Sequence, residues 1–110
     1  MKVAIPVESD SGLNVPVAKE IERAPYFVVV SLKGEEAEVN VYENVPAKEK
    51  KPGLIPEMLS ALGVKKIVTG EMGTRLRILF EHYRIEVETG VSGTLEEVVR
   101  KILSSSASQS

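Results

Sequence analysis

The sequence predicts an α/β domain, a mixed sheet with helices against its faces, and three segments carry that reading. Ile67-Val68-Thr69 leads through a turn holding Gly70 and Gly73 into Leu76, Leu79, Phe80 and Tyr83. That spacing of i, i+3, i+4, i+7 marks one face of a helix, and the alternating stretch Arg84–Glu88 after it completes a strand–helix–strand unit whose strands run parallel. Tyr26–Leu32 and Ala37–Val41, joined by Lys33-Gly34-Glu35-Glu36, form an antiparallel hairpin. Lys2–Val7 is apolar on both alternations, as a strand buried on two faces requires.

Each element follows from its residues. Pro6 cannot donate to a ladder, so pairing of the first strand should thin there. Glu8-Ser9-Asp10-Ser11-Gly12 is a polar turn. Val17, Ala18, Ile21 and Ala24 suggest one helical turn between Pro16 and Pro25. In the hairpin, Ala37, Val39 and Val41 alternate with Glu36, Glu38, Asn40 and Tyr42, predicting a half-buried second strand. Asn44–Gly53 reads as a polar, mobile loop with Pro46 and Pro52. Leu54, Ile55, Met58, Leu59 and Leu62 form a helical stripe that Gly63 closes. Arg84–Glu88 has one wet face and belongs at an edge. Thr94-Leu95-Glu96-Glu97 is a capping box opening a last helix along Leu95, Val98, Val99, Ile102 and Leu103. Residues 1–103 are thus one domain, and the serine-rich 104–110 reads as a disordered tail.

Composition narrows the function. With 110 residues, 43% of them apolar, the chain supports one globular core. It has no cysteine, which excludes disulfides, thiolate metal sites and cysteine nucleophiles. A net charge of −2 supplies no field for nucleic acid. Lys48, Lys50 and Lys51, without interleaved aromatics, read as a solvated loop. No apolar run is long enough to span a membrane and no signal-peptide core is present, so a cytoplasmic protein is expected. The Glu- and Lys-rich composition fits a thermophile bias.

Candidate binding residues gather at the glycine turn. Gly70 and Gly73 allow a close backbone approach or a positive φ. Thr74 is placed to cap the following helix, whose first N–H groups then face the carboxyl end of the strands, where an anion is favoured. Two glycines also simply make a tight turn. The sole histidine, His82, falls at the far end of that helix and reads as structural or solvated. Glu8 and Asp10, with Glu71, could contribute to a two-metal nuclease site; turn chemistry explains the first two as well.

The opening Met-Lys-Val-Ala-Ile-Pro, Arg23-Ala24-Pro25-Tyr26-Phe27, Gly70-x-x-Gly-x-Arg75 and Thr94-Leu95-Glu96-Glu97 together resemble the dinitrogenase iron–molybdenum cofactor biosynthesis family, also called nitrogenase accessory factor-like domains. The resemblance runs to about the serine tail. It implies a three-layer α/β/α domain with a five-stranded mixed sheet of the ribonuclease H-like kind. It also implies a non-enzymatic role in binding or carrying iron–molybdenum cofactor or an iron–sulfur precursor. The family writes Ser-x-His-Phe-Gly-Arg before the second strand; here Glu20-Ile21-Glu22 stands for His-Phe-Gly, and Arg23 remains. A carboxylate ligates iron, but imidazole is the better ligand for a borderline metal.

The resulting expectation is a cofactor-binding site of Glu20, Arg23, Gly70, Gly73, Thr74 and Arg75, taking a metal cluster or small anion, with no metal ligated by dedicated residues. Arg23 could instead pair with Glu20 or Glu22, and Arg75 could be solvated. The alternatives are a regulatory or protein-interaction domain that has lost the cofactor site, and a metal-dependent nuclease. Both monomer and dimer are compatible with the sequence.

Overall fold

The computed structural model describes residues 1–108. Its sheet contains β1 (Lys2–Val7), β2 (Tyr26–Lys33), β3 (Glu36–Glu43), β4 (Val64–Val68) and β5 (Glu86–Glu88), in the order β3-β2-β1-β4-β5. The β1–β2 and β2–β3 pairs are antiparallel, whereas β1–β4 and β4–β5 are parallel. The sheet is therefore mixed, and β1 joins its two halves. Helices α1 (Val45–Lys48), α2 (Ile55–Ala61), α3 (Thr74–His82) and α4 (Leu95–Ser108) complete the domain, with short 3-10 turns at Ile21–Arg23 and Pro52–Leu54.

Strand alternation sorts the apolar residues into two cores, making three layers. On one face Ala4, Phe27, Val29 and Ile67 pack against Ile55 and Leu59 of α2, Leu76 and Phe80 of α3, and Ile21. On the other, Val3, Ile5, Val7, Val28, Val30 and Val68 pack against Leu95 and Val98 of α4, with Val15 and Val17. The cap half of the α4 capping box forms: Glu97 N–H donates to Thr94 Oγ1 at 3.3 Å, and the Glu97 carboxylate accepts from the Thr94 hydroxyl at 3.3 Å in place of the Thr94 backbone N–H.

Several expectations need correction. Pairing at Pro6 thins only on the β4 side, where the ladder ends at Ala4; on the β2 side it continues to Val7 opposite Tyr26. Beyond Ala4 the Pro16–Ala18 segment takes over, with Ala18 N–H donating to Pro6 O at 2.8 Å. Strand β3 is not half-buried through its valines: Val39 and Val41 are 46% and 49% exposed, because they lie outside the α4-side core, and Tyr42 packs inward on the other face. β5 is shorter than predicted, since Arg84 takes φ 58° and leaves the extended region. Helix α4 continues through Ser108, past the expected end at Leu103; Gln109 and Ser110 lie outside the described residues.

The Asn44–Gly53 segment is also more ordered than a polar loop, for a local reason. Asn44 is fully buried. Its amide nitrogen donates to Ala24 O at 2.9 Å and Ile21 O at 3.3 Å, while its side-chain oxygen accepts from Ala47 N–H at 3.3 Å and caps α1. Its own N–H donates to Pro25 O at 2.9 Å. One side chain thus ties the end of the hairpin to the segment before β2. Replacing it by alanine strips partners from buried carbonyls and removes the cap. Asn44→Ala should destabilise by about 2–4 kcal/mol, read as a lower urea midpoint with an unchanged slope. A midpoint equal to that of the unaltered chain would show that water satisfies these groups instead.

Candidate functional site

The carboxyl ends of β1 and β4 open onto a site held by backbone contacts. Beyond β4, the chain is clamped on both sides. Glu71 N–H donates to Lys19 O at 2.7 Å on one side, and Gly90 N–H donates to Gly70 O at 2.7 Å on the other. Thr69 O accepts from Val91 N–H at 3.1 Å. Glu20 and Glu71 form a parallel bridge, so the Lys19–Glu20 segment lies along the start of the glycine turn.

This proximity explains Gly70. A Cβ there would sit 2.6 Å from Lys19 O and 3.0 Å from Lys19 Cα, inside van der Waals contact with backbone. Gly73 is different. It is the N-cap of α3 in ordinary extended conformation, φ −69° and ψ 156°, and its Cβ would meet only Glu22 Oε1 at 3.8 Å. Thr74 is therefore the first helical residue and not the cap, and α3 begins without a side-chain cap. Its first N–H groups are available to a ligand.

A depression of about 480 Å³ lies here, lined by Glu20, Ile21, Glu22, Gly70, Glu71, Met72, Gly73, Arg77 and Thr89. The structure thus brings together Glu20, Gly70 and Gly73 of the six expected residues. Arg23, Thr74 and Arg75 are not among its described lining residues. Arg23 Nε contacts Glu20 Oε2 at 3.2 Å in an exposed pair, worth little in water. Arg75 lies in the first turn of α3.

The lining cation is instead Arg77, which donates from Nη2 to Thr89 Oγ1 at 3.4 Å. Sequence reasoning passed over both. Arg77 stands four residues after Gly73, and its N–H donates to Gly73 O at 3.0 Å, so helical spacing alone could have suggested it. Thr89 needed the β4–β5 register, which sets Glu88 opposite Val68. Glu20, Glu22 and Glu71 line the depression together with Arg77, its one lining cation among the described residues. Its balance is acidic.

A larger cleft of about 750 Å³ lies on the other face, between α4 and β4–β5, and includes Val68, Val98, Ile102, Lys66 and Lys101. Its central ammonium is already committed: Lys66 Nζ sits 3.1 Å from Glu88 and 3.4 Å from Glu86. Burial alone would lower the Lys66 pKa, but the hydrogen bond and charge of Glu88, with Glu86 behind, outweigh it and hold the pKa above the ordinary lysine value. His82 ends α3 away from both cavities, exposed, with its ring edge-on to Tyr83 at 5.4 Å. Among the described residues no group of three or more His, Asp or Glu is placed to hold a metal ion. The buried Thr69 hydroxyl lacks a hydrogen-bond partner among them.

The family model described as dinitrogenase iron-molybdenum cofactor matches residues 1–105. Nothing among curated proteins matches the chain. Among solved structures, the crystal structure of PH0822 is 36% identical with a TM-score of 0.84, covering 96% of this chain and 92% of that one. The apo form of the orange protein from Desulfovibrio gigas is 22% identical, with a TM-score of 0.77 over 94% of this chain and 88% of its own. A protein from Thermotoga proposed to be NifB is 20% identical, with a TM-score of 0.67 over 92% and 85%. The last two show the shared fold.

The two glycines should respond differently to one added methyl. Gly70→Ala should cost about 1–3 kcal/mol, because backbone must move to admit the Cβ. Gly73→Ala should cost less than about 1 kcal/mol, the loss of a favourable capping residue. Thermal melts of the two variants side by side would decide; equal losses would mean that the Lys19–Gly70 contact is slack.

Proposed function

Because the chain belongs to the dinitrogenase iron–molybdenum cofactor family, we propose that it is a non-catalytic domain that binds a metal-cluster cofactor or its iron–sulfur precursor as cargo. The observation that carries this reading is the match over residues 1–105, with a depression at the carboxyl end of the sheet beside the start of α3. The fold shared with the orange protein and the Thermotoga protein is consistent with it.

The residues present suit an outer hold on cargo and not direct ligation. The chain has no thiolate, and its one imidazole is at the wrong end of α3. What the site offers is the Arg77 guanidinium, the Thr89 hydroxyl and the open N–H groups of the first turn of α3, all donors to anionic sulfur or oxygen. Thr74 and Arg75 contribute through those backbone groups, and Arg23 lies beside Glu20 in an exposed pair. Glu20, at the position of the family's histidine, is an oxygen donor for iron. Glu22 and Glu71 oppose negative charge. Such a site holds cargo loosely, which suits a domain that must hand it on.

A second reading rests on the same carboxylates: an interaction domain that has lost its cofactor site and takes a protein partner. The nuclease alternative finds no support among the described residues, where no three carboxylates are placed to hold a metal ion.

Anaerobic titration with iron–molybdenum cofactor and, separately, an iron–sulfur cluster discriminates the readings, with visible absorbance followed through size exclusion. Co-elution is expected, weakened by Arg77→Gln. Removing one opposing charge, as in Glu22→Gln or Glu71→Gln, should tighten binding by roughly fivefold, the equivalent of about 1 kcal/mol at several ångströms in a wet site. Uptake by neither the chain nor the glutamine variants would leave the interaction-domain reading in place.

A further inference from the structure

We propose that β3 is a self-association edge, and that two copies of this chain pair their β3 strands antiparallel about a two-fold axis passing at Asn40. The two sheets would then continue as one. This inference is independent of the cargo reading.

The geometry begins at the hairpin. Gly34 and Glu35 form a two-residue turn, with Gly34 at φ +61°, which makes Lys33 and Glu36 a hydrogen-bonded pair. Alternation along the ladder then turns the N–H and C=O groups of Glu36, Glu38, Asn40 and Tyr42 toward β2. Those of Ala37, Val39, Val41 and Glu43 point to the open side. This strand spans eight residues without proline or lysine, and of its three carboxylates only Glu43 stands in the outward-facing backbone set.

Its side chains point the same way. The face shared with α4 presents Ala37, Val39 and Val41 in succession. The two valines stay half exposed although their neighbours across the ladder, Val30 and Val28, are buried. With the axis at Asn40, Val39 meets the partner's Val41 and Val41 the partner's Val39. Both are pairs whose backbones exchange hydrogen bonds. Their side chains would close a four-valine cluster over the seam.

Valine contact selects this register, and charge permits it. Glu43 falls opposite the partner's Ala37, Glu38 opposite the partner's Tyr42, and Asn40 opposite itself, so no two carboxylates face each other directly. Glu43 is further neutralised by Lys48, whose ammonium lies 3.0 Å away. Centring the axis one residue earlier, on Val39, would place Ala37 against Val41 but Glu38 against Asn40 and Glu36 against Tyr42. It would also leave Val39 facing itself with Glu43 beyond the ladder. The Asn40 register keeps both valines in reciprocal contact and the whole outward-facing set engaged.

The test is sedimentation or light scattering of the full chain across a concentration series, with amide exchange at Val39 and Val41. The expected mass rises toward twice the 12.0 kDa chain, and exchange at both amides slows as concentration rises. Val41→Pro removes an outward donor without touching the β2 ladder, a change edge strands tolerate, and should give a folded monomer with an unchanged circular dichroism spectrum. Val39→Lys is a second disrupting variant should the proline fail to fold. A monomer at every concentration, or fast exchange at both amides throughout, would overturn the proposal. So would a dimer that survives both substitutions.

Discussion

Strand β1 has neither a free edge nor a wet face, and the rest of the molecule is arranged around that constraint. Val3, Ala4, Ile5 and Val7 are all buried, and they alternate between the two cores. Both of its sides must therefore be paired and both of its faces covered. The β2–β3 hairpin satisfies one side through β2, which runs antiparallel to β1. β4 satisfies the other in parallel. Because β4 and β5 also run parallel to β1, their carboxyl ends gather on one rim, and the connecting segments cross there.

That rim is stiffened by main chain more than by side chains. The Pro16–Glu20 segment bonds to the end of β1 and then to Glu71, and the chain after β5 bonds back to Thr69 and Gly70. Asn44 fastens the same region from below by holding the carbonyls of Ile21 and Ala24. A small acidic depression on a rigid backbone frame is the outcome. The side chains hung on it, Glu20 and Glu22 among them, set its charge.

Local signals made most of the fold legible. The apolar run of β1, the β-branched run of β2, the helical stripe of α3 and the capping box of α4 each name their element without help from the rest. What escaped was what depends on distant partners. Val39 and Val41 alternate like buried residues, yet they lie outside the α4-side core, which alternation cannot reveal. Asn44 looks like one more polar loop residue until Ile21 and Ala24 are placed beside it. At the site, Gly70 was recognisable because glycine in a strand-to-helix turn signals close approach. Arg75 drew attention by motif, although Arg77 is the residue that faces the depression, since the direction of a helical side chain follows from packing. Thr89 could not be placed without a strand register.

The α4-side core joins the two ends of the sequence: Val3, Ile5 and Val7 lie under Leu95 and Val98, with more than 80 residues between. Local pairing can assemble the hairpin and the α2–β4–α3 stretch early, since their partners are close in sequence. The face beneath α4 cannot close until residues near Val98 have left the ribosome. During synthesis at about 5–20 residues per second, a sheet already formed would expose its valines for several seconds. The last helix is then more than a cover: it is the event that ends the nascent chain's exposure to aggregation, and any delay in making it lengthens that interval.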